Sequence, residues 1–149
     1  MTAPIDGLAC AIAWTVIEGH SRWRLPVRVE IATAVTFLLE SAEGTFRVLP
    51  DDLWVRRHRI EPQFLLTKAL PPQIAERVAS SRIDSLGPLH YAEGYFAPGD
   101  EIELRGVCRP EPCAELQGPR GPRILPTLSG GGGRLEILTP IGLVEVRSS

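Results

Sequence analysis

Apolar residues alternate with polar ones at a period of two along most of this chain, in short runs separated by turn-prone residues. That pattern predicts strands. From Leu8 to Ile17 both alternating sets are apolar: Leu8, Cys10, Ile12, Trp14 and Val16 against Ala9, Ala11, Ala13 and Ile17. A strand of that composition needs cover on both faces, which predicts a central position in a sheet. Gly19 to Pro26 reads as a loop, after which Val27, Val29 and Ile31 alternate with Arg28 and Glu30 as a half-buried strand. Thr33 to Glu40 and Thr45 to Leu49 are β-branched and aromatic runs separated by Ser41, Ala42, Glu43 and Gly44, a hairpin pattern. Pro50, Asp51 and Asp52 interrupt the strand, which resumes at Leu53, Trp54 and Val55 and runs into Arg56, Arg57, His58 and Arg59.

One segment reads as helix. Pro71 and Pro72 suit a first helical turn, and Ile74 and Val78 fall on one face at i, i+4 within Gln73 to Ser80. Leu89 to Phe96 and Glu101 to Val107 then read as strands around the compact turn Ala97, Pro98, Gly99 and Asp100, with Ile102 and Leu104 inward. Residues 109–134 hold five of the 14 prolines and six of the 14 glycines, which predicts a flexible excursion docked in part by Ile124 and Leu125. Leu135 to Leu138 and Leu143 to Val146 alternate again, as a hairpin turning near Pro140 and Gly142. The expected fold is mainly β with one short helix, in the element order of an OB-like Greek-key barrel; a β-sandwich with one helix fits the same order.

Length and composition add a single core. A chain of 149 residues is one domain by size, able to bury about two-thirds of its unfolded surface. Sixteen basic against 18 acidic residues give a net charge of −2, so nucleic-acid binding would have to be local. Cys10, Cys108 and Cys113 lack the spacing of a zinc site or a disulfide framework, which predicts no metal, no cofactor and a reducing compartment. Gly7 to Ile17, the longest uncharged early run, falls short of the roughly 20 residues a membrane span needs and has no basic residues before it. The expectation is a soluble, cytoplasmic chain without direct membrane insertion.

The candidate chemistry is sparse. An aromatic beside clustered guanidiniums can stack a base and track phosphates, so Trp54, Arg56, Arg57, His58 and Arg59 are the candidate partner-binding residues, against the alternative of a solvated strand end. His20 has no neighbouring Ser, Cys or carboxylate pattern of a triad and reads as a loop histidine. Alternation sends Tyr91 and Glu93 to the face opposite His90, with Glu93 holding a buried backbone or arginine partner. Gly130 to Gly133 lacks the Lys-Ser/Thr of a phosphate loop and reads as a connector. Cys108 and Cys113 read as structural thiols flanking a turn, and Trp14 and Trp23 as core or semi-buried packing.

Three blocks resemble a known family: Pro4 to Cys10 (PIDGLAC) leading into the first strand, Phe37 to Pro50 (FLLESAEGTFRVLP), and Tyr91 to Gly106 (YAEGYFAPGDEIELRG). Together they resemble the GIDE-type, or "beside a membrane" (BAM), domain over roughly Pro4 to Thr139. The resemblance singles out Cys10, Phe37, Gly44, Pro50, Tyr91, Glu93, Pro98, Gly99, Asp100 and Gly106 as structural positions. It implies a non-catalytic domain that contacts other proteins, as in membrane E3 ubiquitin ligases, where a separate RING finger carries the ligase activity. Three cysteines and three histidines cannot supply the eight ligands of a two-zinc RING, so ligase activity does not carry over. The expected function is therefore a non-enzymatic protein-interaction domain whose partner is another protein, one that can be membrane-associated. The alternative is an OB-type single-stranded nucleic-acid binder centred on Trp54 and its arginines.

Overall fold

The computed structural model describes residues 1–7, 9–55 and 61–139. In chain order the elements are β1 (Ile12–His20), β2 (Pro26–Ala34), β3 (Phe37–Ser41), β4 (Gly44–Val48), β5 (Leu53–Val55), β6 (Phe64–Leu65), α1 (Pro72–Ala79), β7 (His90–Phe96), β8 (Leu104–Arg105), β9 (Val107–Gly118), β10 (Gly121–Ser129) and β11 (Leu135–Ile137). The protein is mainly β with one short helix. Among the described residues the strands form three sheets, none closed into a barrel, and no helix is long and apolar enough to cross a membrane. The chain divides into two compact units, whose described residues are 1–33 with 61–100, and 34–55 with 101–139.

The first unit is a four-stranded sheet in the order β2-β1-β7-β6. The doubly apolar first run lies inside this sheet as β1, buried along nearly its whole length. It begins at Ile12 rather than Leu8, because Met1 to Cys10 fold back on themselves: the Gly7 N–H donates to the Ala3 carbonyl at 2.9 Å and the Cys10 N–H to the Met1 carbonyl at 2.9 Å. Strands β1 and β7 pair antiparallel, placing Thr15 opposite Glu93 and Ile17 opposite Tyr91. Directly opposed residues share a face, so Ala13, Thr15 and Ile17 lie beside Tyr95, Glu93 and Tyr91. At one end of that face Ile17 and Val29 meet Ile74 and Val78 of α1, with Ile5 and Ile83 completing the cluster. At the other end Ala3, Cys10 and Ala13 pack with Tyr95. The helix is therefore held by the i, i+4 pair visible in its sequence.

The second unit holds two sheets, β3-β4-β10-β9 and β5-β11-β8. The expected hairpin forms between β3 and β4, its turn fixed by Ser41 Oγ, which accepts the Glu43 N–H at 3.2 Å and donates to the Gly44 carbonyl at 3.2 Å. Strand β10 runs parallel to β4 and antiparallel to β9, and β11 runs parallel to β5 and antiparallel to β8. Val48, Val55, Leu125, Leu135 and Ile137 are buried.

Residues 109–134 are not the expected irregular excursion. Most of them form the long β9–β10 hairpin, with Pro110 opposite Pro126 and Pro112 opposite Ile124. An antiparallel ladder tolerates proline where the missing N–H would point away from the partner, and such positions recur every second residue. Pro110 and Pro112 are two apart, and Pro126 faces the first of them, so one register accommodates all three. Gly130 to Gly133 then close a tight turn into β11, the Gly133 N–H donating to the Gly130 carbonyl at 2.9 Å. Leu143 to Val146 and the turn near Pro140 lie outside the described residues.

Candidate functional site

The residues of the first and third family-like blocks meet at one buried carboxylate. Glu93 Oε1 and Oε2 each accept the Ile5 N–H at 3.1 Å, Oε1 accepts the Asp6 N–H at 2.9 Å, and Oε2 accepts the Thr15 hydroxyl at 2.6 Å. Tyr91, two residues away on the same face, donates its hydroxyl to Asp6 Oδ1 at 3.0 Å. Pro4 to Gly7 thus lie against the sheet, and the N–H groups of Ile5 and Asp6 find their acceptor in Glu93. Burial, reinforced by the hydrogen bond to Asp6 and the nearby negative charge, pushes the Tyr91 phenol up to about 12. Burial likewise pushes the Cys10 thiol up, opposed by the amino terminus and assisted by Glu93. A raised, buried thiol is a poor nucleophile and packs as a small apolar group. Glu93 spends its acceptors on its own chain, and the arrangement is a fastening.

The other family-like positions also shape the backbone. Phe37 pairs with Val48 across the β3–β4 hairpin, where Gly44 ends the turn. Pro50 sits in a tight bend closed by the Asp51 N–H on the Leu49 carbonyl at 2.9 Å. Pro98, Gly99 and Asp100 form a turn in which Asp100 Oδ2 accepts the Ala97 N–H at 2.7 Å and Gly99 has a φ of 94°, a conformation side chains disfavour. At Gly106 a Cβ would lie 2.5 Å from the Ser129 carbonyl oxygen and 2.9 Å from Leu135 Cδ1, so the close approach of these segments requires glycine.

Of the candidate partner-binding residues, Arg56, Arg57, His58 and Arg59 lie outside the described residues. Trp54 is half-buried on β5, and the Arg134 guanidinium lies 5.4 Å from its ring centroid. That cation occupies an aromatic face that a base would need. His20 and His90 are exposed. Among the described residues no group of three or more His, Cys, Asp or Glu is placed to hold a metal ion.

Two apolar surfaces face water instead. In the first unit, Trp23 is not the packed residue expected from its type: it is 85 % exposed, with Leu25 62 % and Leu86 95 % exposed. Trp14, on β1, is buried as expected. The difference is position, since Trp23 sits in the β1–β2 loop and not on a strand. That loop is braced: the Ser21 N–H donates to the Leu25 carbonyl and the Arg24 N–H to the Ser21 carbonyl, each at 2.9 Å, while Ser21 Oγ accepts the Trp23 and Leu25 N–H groups at 3.2 and 3.3 Å. Arg24 takes a φ of 60° to complete it. The loop after α1 is tied to the same strand end by the Asp84 N–H on the His20 carbonyl at 2.8 Å, and Asp84 Oδ1 accepts the Leu86 N–H at 3.1 Å. Arg22, Arg24 and Arg82, in the same two loops, are also exposed. The cue in the sequence was a tryptophan between two arginines inside a Gly-Ser turn.

In the second unit, the β9–β10 register puts Cys108, Pro110 and Pro112 on the same face as Leu128, Pro126 and Ile124. The first three are exposed, Ile124 is 68 % exposed, and Pro126 and Leu128 are half-buried. On the reverse face Cys113, Leu125 and Thr127 are buried. One face of the hairpin thus contributes Cys113, Leu125 and Thr127 to the core, and the other carries a charge-free apolar stripe. No family model, curated protein or solved structure matches this chain.

Proposed function

We propose that the chain is a non-enzymatic protein-interaction domain of the kind its GIDE-like blocks imply, and that the outward stripe of the β9–β10 hairpin is where a protein partner docks. The stripe carries this reading. It is a row of apolar side chains with no charge in it, unusual on a surface that meets only water. Prolines have preset φ and little side-chain entropy to lose, so covering Pro110, Pro112 and Pro126 costs less ordering than covering long flexible residues. An uncharged face of conformationally restricted residues suits a partner of matching shape. The convergence of the first and third blocks on Glu93 supports the family reading, because it gives their shared pattern a common structural purpose. The OB-like reading draws support from the element order, with the single helix between the early strands and β7.

The test is a pull-down from the native lysate, with and without nuclease, comparing the wild type with Ile124→Asp and with Arg56→Glu/Arg57→Glu/Arg59→Glu. The expected result is a defined protein recovered after nuclease treatment, with recovery falling at least tenfold in Ile124→Asp, as for a central apolar anchor. Recovery of nucleic acid alone, lost in the arginine variant, overturns the proposal in favour of a single-stranded nucleic-acid binder.

A further inference from the structure

The Trp23 loops carry a chemistry different from the hairpin stripe, and the inference from them is independent of it. We propose that Trp23, Leu25 and Leu86, together with Arg22, Arg24 and Arg82 of the same two loops, dock the first unit on the surface of an anionic lipid bilayer.

Three observations converge. The apolar side chains protrude, at 85 %, 62 % and 95 % exposure, so they can enter a fluid medium that needs no preformed pocket. Their identities suit the boundary region: an indole has an apolar body with one donor and favours the headgroup level, while leucines favour the acyl chains. The charges of these loops complement an anionic surface, since Arg22, Arg24 and Arg82 are all exposed and Asp84, the acid of the second loop, is half-buried with Oδ1 accepting a backbone N–H. Between the loops lies a groove of about 550 Å³ whose lining includes Arg22, Arg82, Ser21, Ser81, Ser85 and Asp84. Its guanidiniums and hydroxyls offer donors to lipid phosphates, with Asp84 as the one opposing charge.

Other occupants fit less well. A nucleic acid would use the ring and the arginines and leave both leucines in water. A protein would need a pocket for each of three protruding anchors. The braces at Ser21 and Asp84 mean that the loops are already set, so docking demands little ordering.

The experiment is co-sedimentation of the full chain with phosphatidylcholine vesicles, with and without phosphatidylglycerol, alongside tryptophan emission. The wild type is expected to bind the anionic vesicles, to weaken as salt rises, and to shift its emission to the blue on binding, a shift absent in Trp23→Phe. Arg22→Ala/Arg24→Ala/Arg82→Ala should lower the partition coefficient about 100-fold, and Leu25→Ser/Leu86→Ser about tenfold or more. Circular dichroism checks that each variant is folded; should one fail, the wild type's dependence on phosphatidylglycerol and salt decides. Absence of wild-type binding, binding indifferent to phosphatidylglycerol, or binding retained in both folded variants overturns the proposal. So does capture of a protein or nucleic acid through Trp23 by a chain that ignores vesicles. None of these outcomes bears on Ile124, so failure here leaves the hairpin proposal standing.

Discussion

The β1–β7 pair of the first unit and the β9–β10 pair of the second manage polar and apolar groups in opposite ways. The first draws polar groups inward: a carboxylate, a threonine hydroxyl and two turn N–H groups are matched within its core, beneath a turn that covers the sheet. The second draws its polar backbone into a long ladder and leaves apolar side chains outside, along Pro110, Pro112 and Ile124. The contrast teaches that burial alone does not mark the structural parts of this molecule. A buried carboxylate here is a fastening, and a row of prolines stands exposed.

The comparison is broken or sharpened most strongly at Glu93. Replacing it with alanine leaves the Ile5 and Asp6 N–H groups and the Thr15 hydroxyl without their acceptor, and should destabilise the fold by about 3 kcal/mol or more in urea denaturation. A loss below about 1 kcal/mol would mean that the turn finds other partners and that the inward-facing unit does not depend on its buried polar group.

Tyr91 provides an intermediate effect with a defined sign. Its phenol is held near 12 in the folded chain against an ordinary value of 10, so between those pH values the unfolded chain releases a proton that the folded chain keeps. Stability contributed by Tyr91 is therefore complete below pH 10 and lost as pH rises toward 12. Thermal melts across that range should show a fall that Tyr91→Phe reduces. An equal fall in both proteins would remove Tyr91 from the fastening.

The smallest expected effect lies in the second unit. Ile124→Ser should change the melting free energy by less than about 0.5 kcal/mol, as for a surface position away from special backbone features. A loss of about 2 kcal/mol would show that the stripe is core in solution, and the contrast between the units would collapse.

Much of the first unit was legible in the sequence, because its signals are local. Ile74 and Val78 behind two prolines identify a helix, and a run apolar on both alternating sets identifies a strand covered on both faces. Alternation also placed Tyr91 and Glu93 on one face, away from His90. A buried backbone partner for Glu93 was expected, but which residues supply it was not legible, since 88 residues separate it from Ile5 and no periodicity spans that interval. The β9–β10 hairpin was hidden for another reason: proline and glycine counts read as a loop, whereas a ladder asks only where each missing N–H points. Trp23 was misjudged because residue type favours burial while loop position governs it. The second motif block, by contrast, contains its own turn residues, and Ser41 to Gly44 closed the hairpin as expected.

The Glu93 fastening also sets an order of events during synthesis. At about 5–20 residues per second, Ile5 is added to the chain roughly 4 to 18 s before Glu93, and through that interval its turn has no acceptor from β7. Contacts this distant in sequence close late and slow the search for the native state. Pro4 to Gly7 are thus made well before they can be secured, and a nascent chain stalled before β7 would leave them without Glu93, open to chaperone or protease.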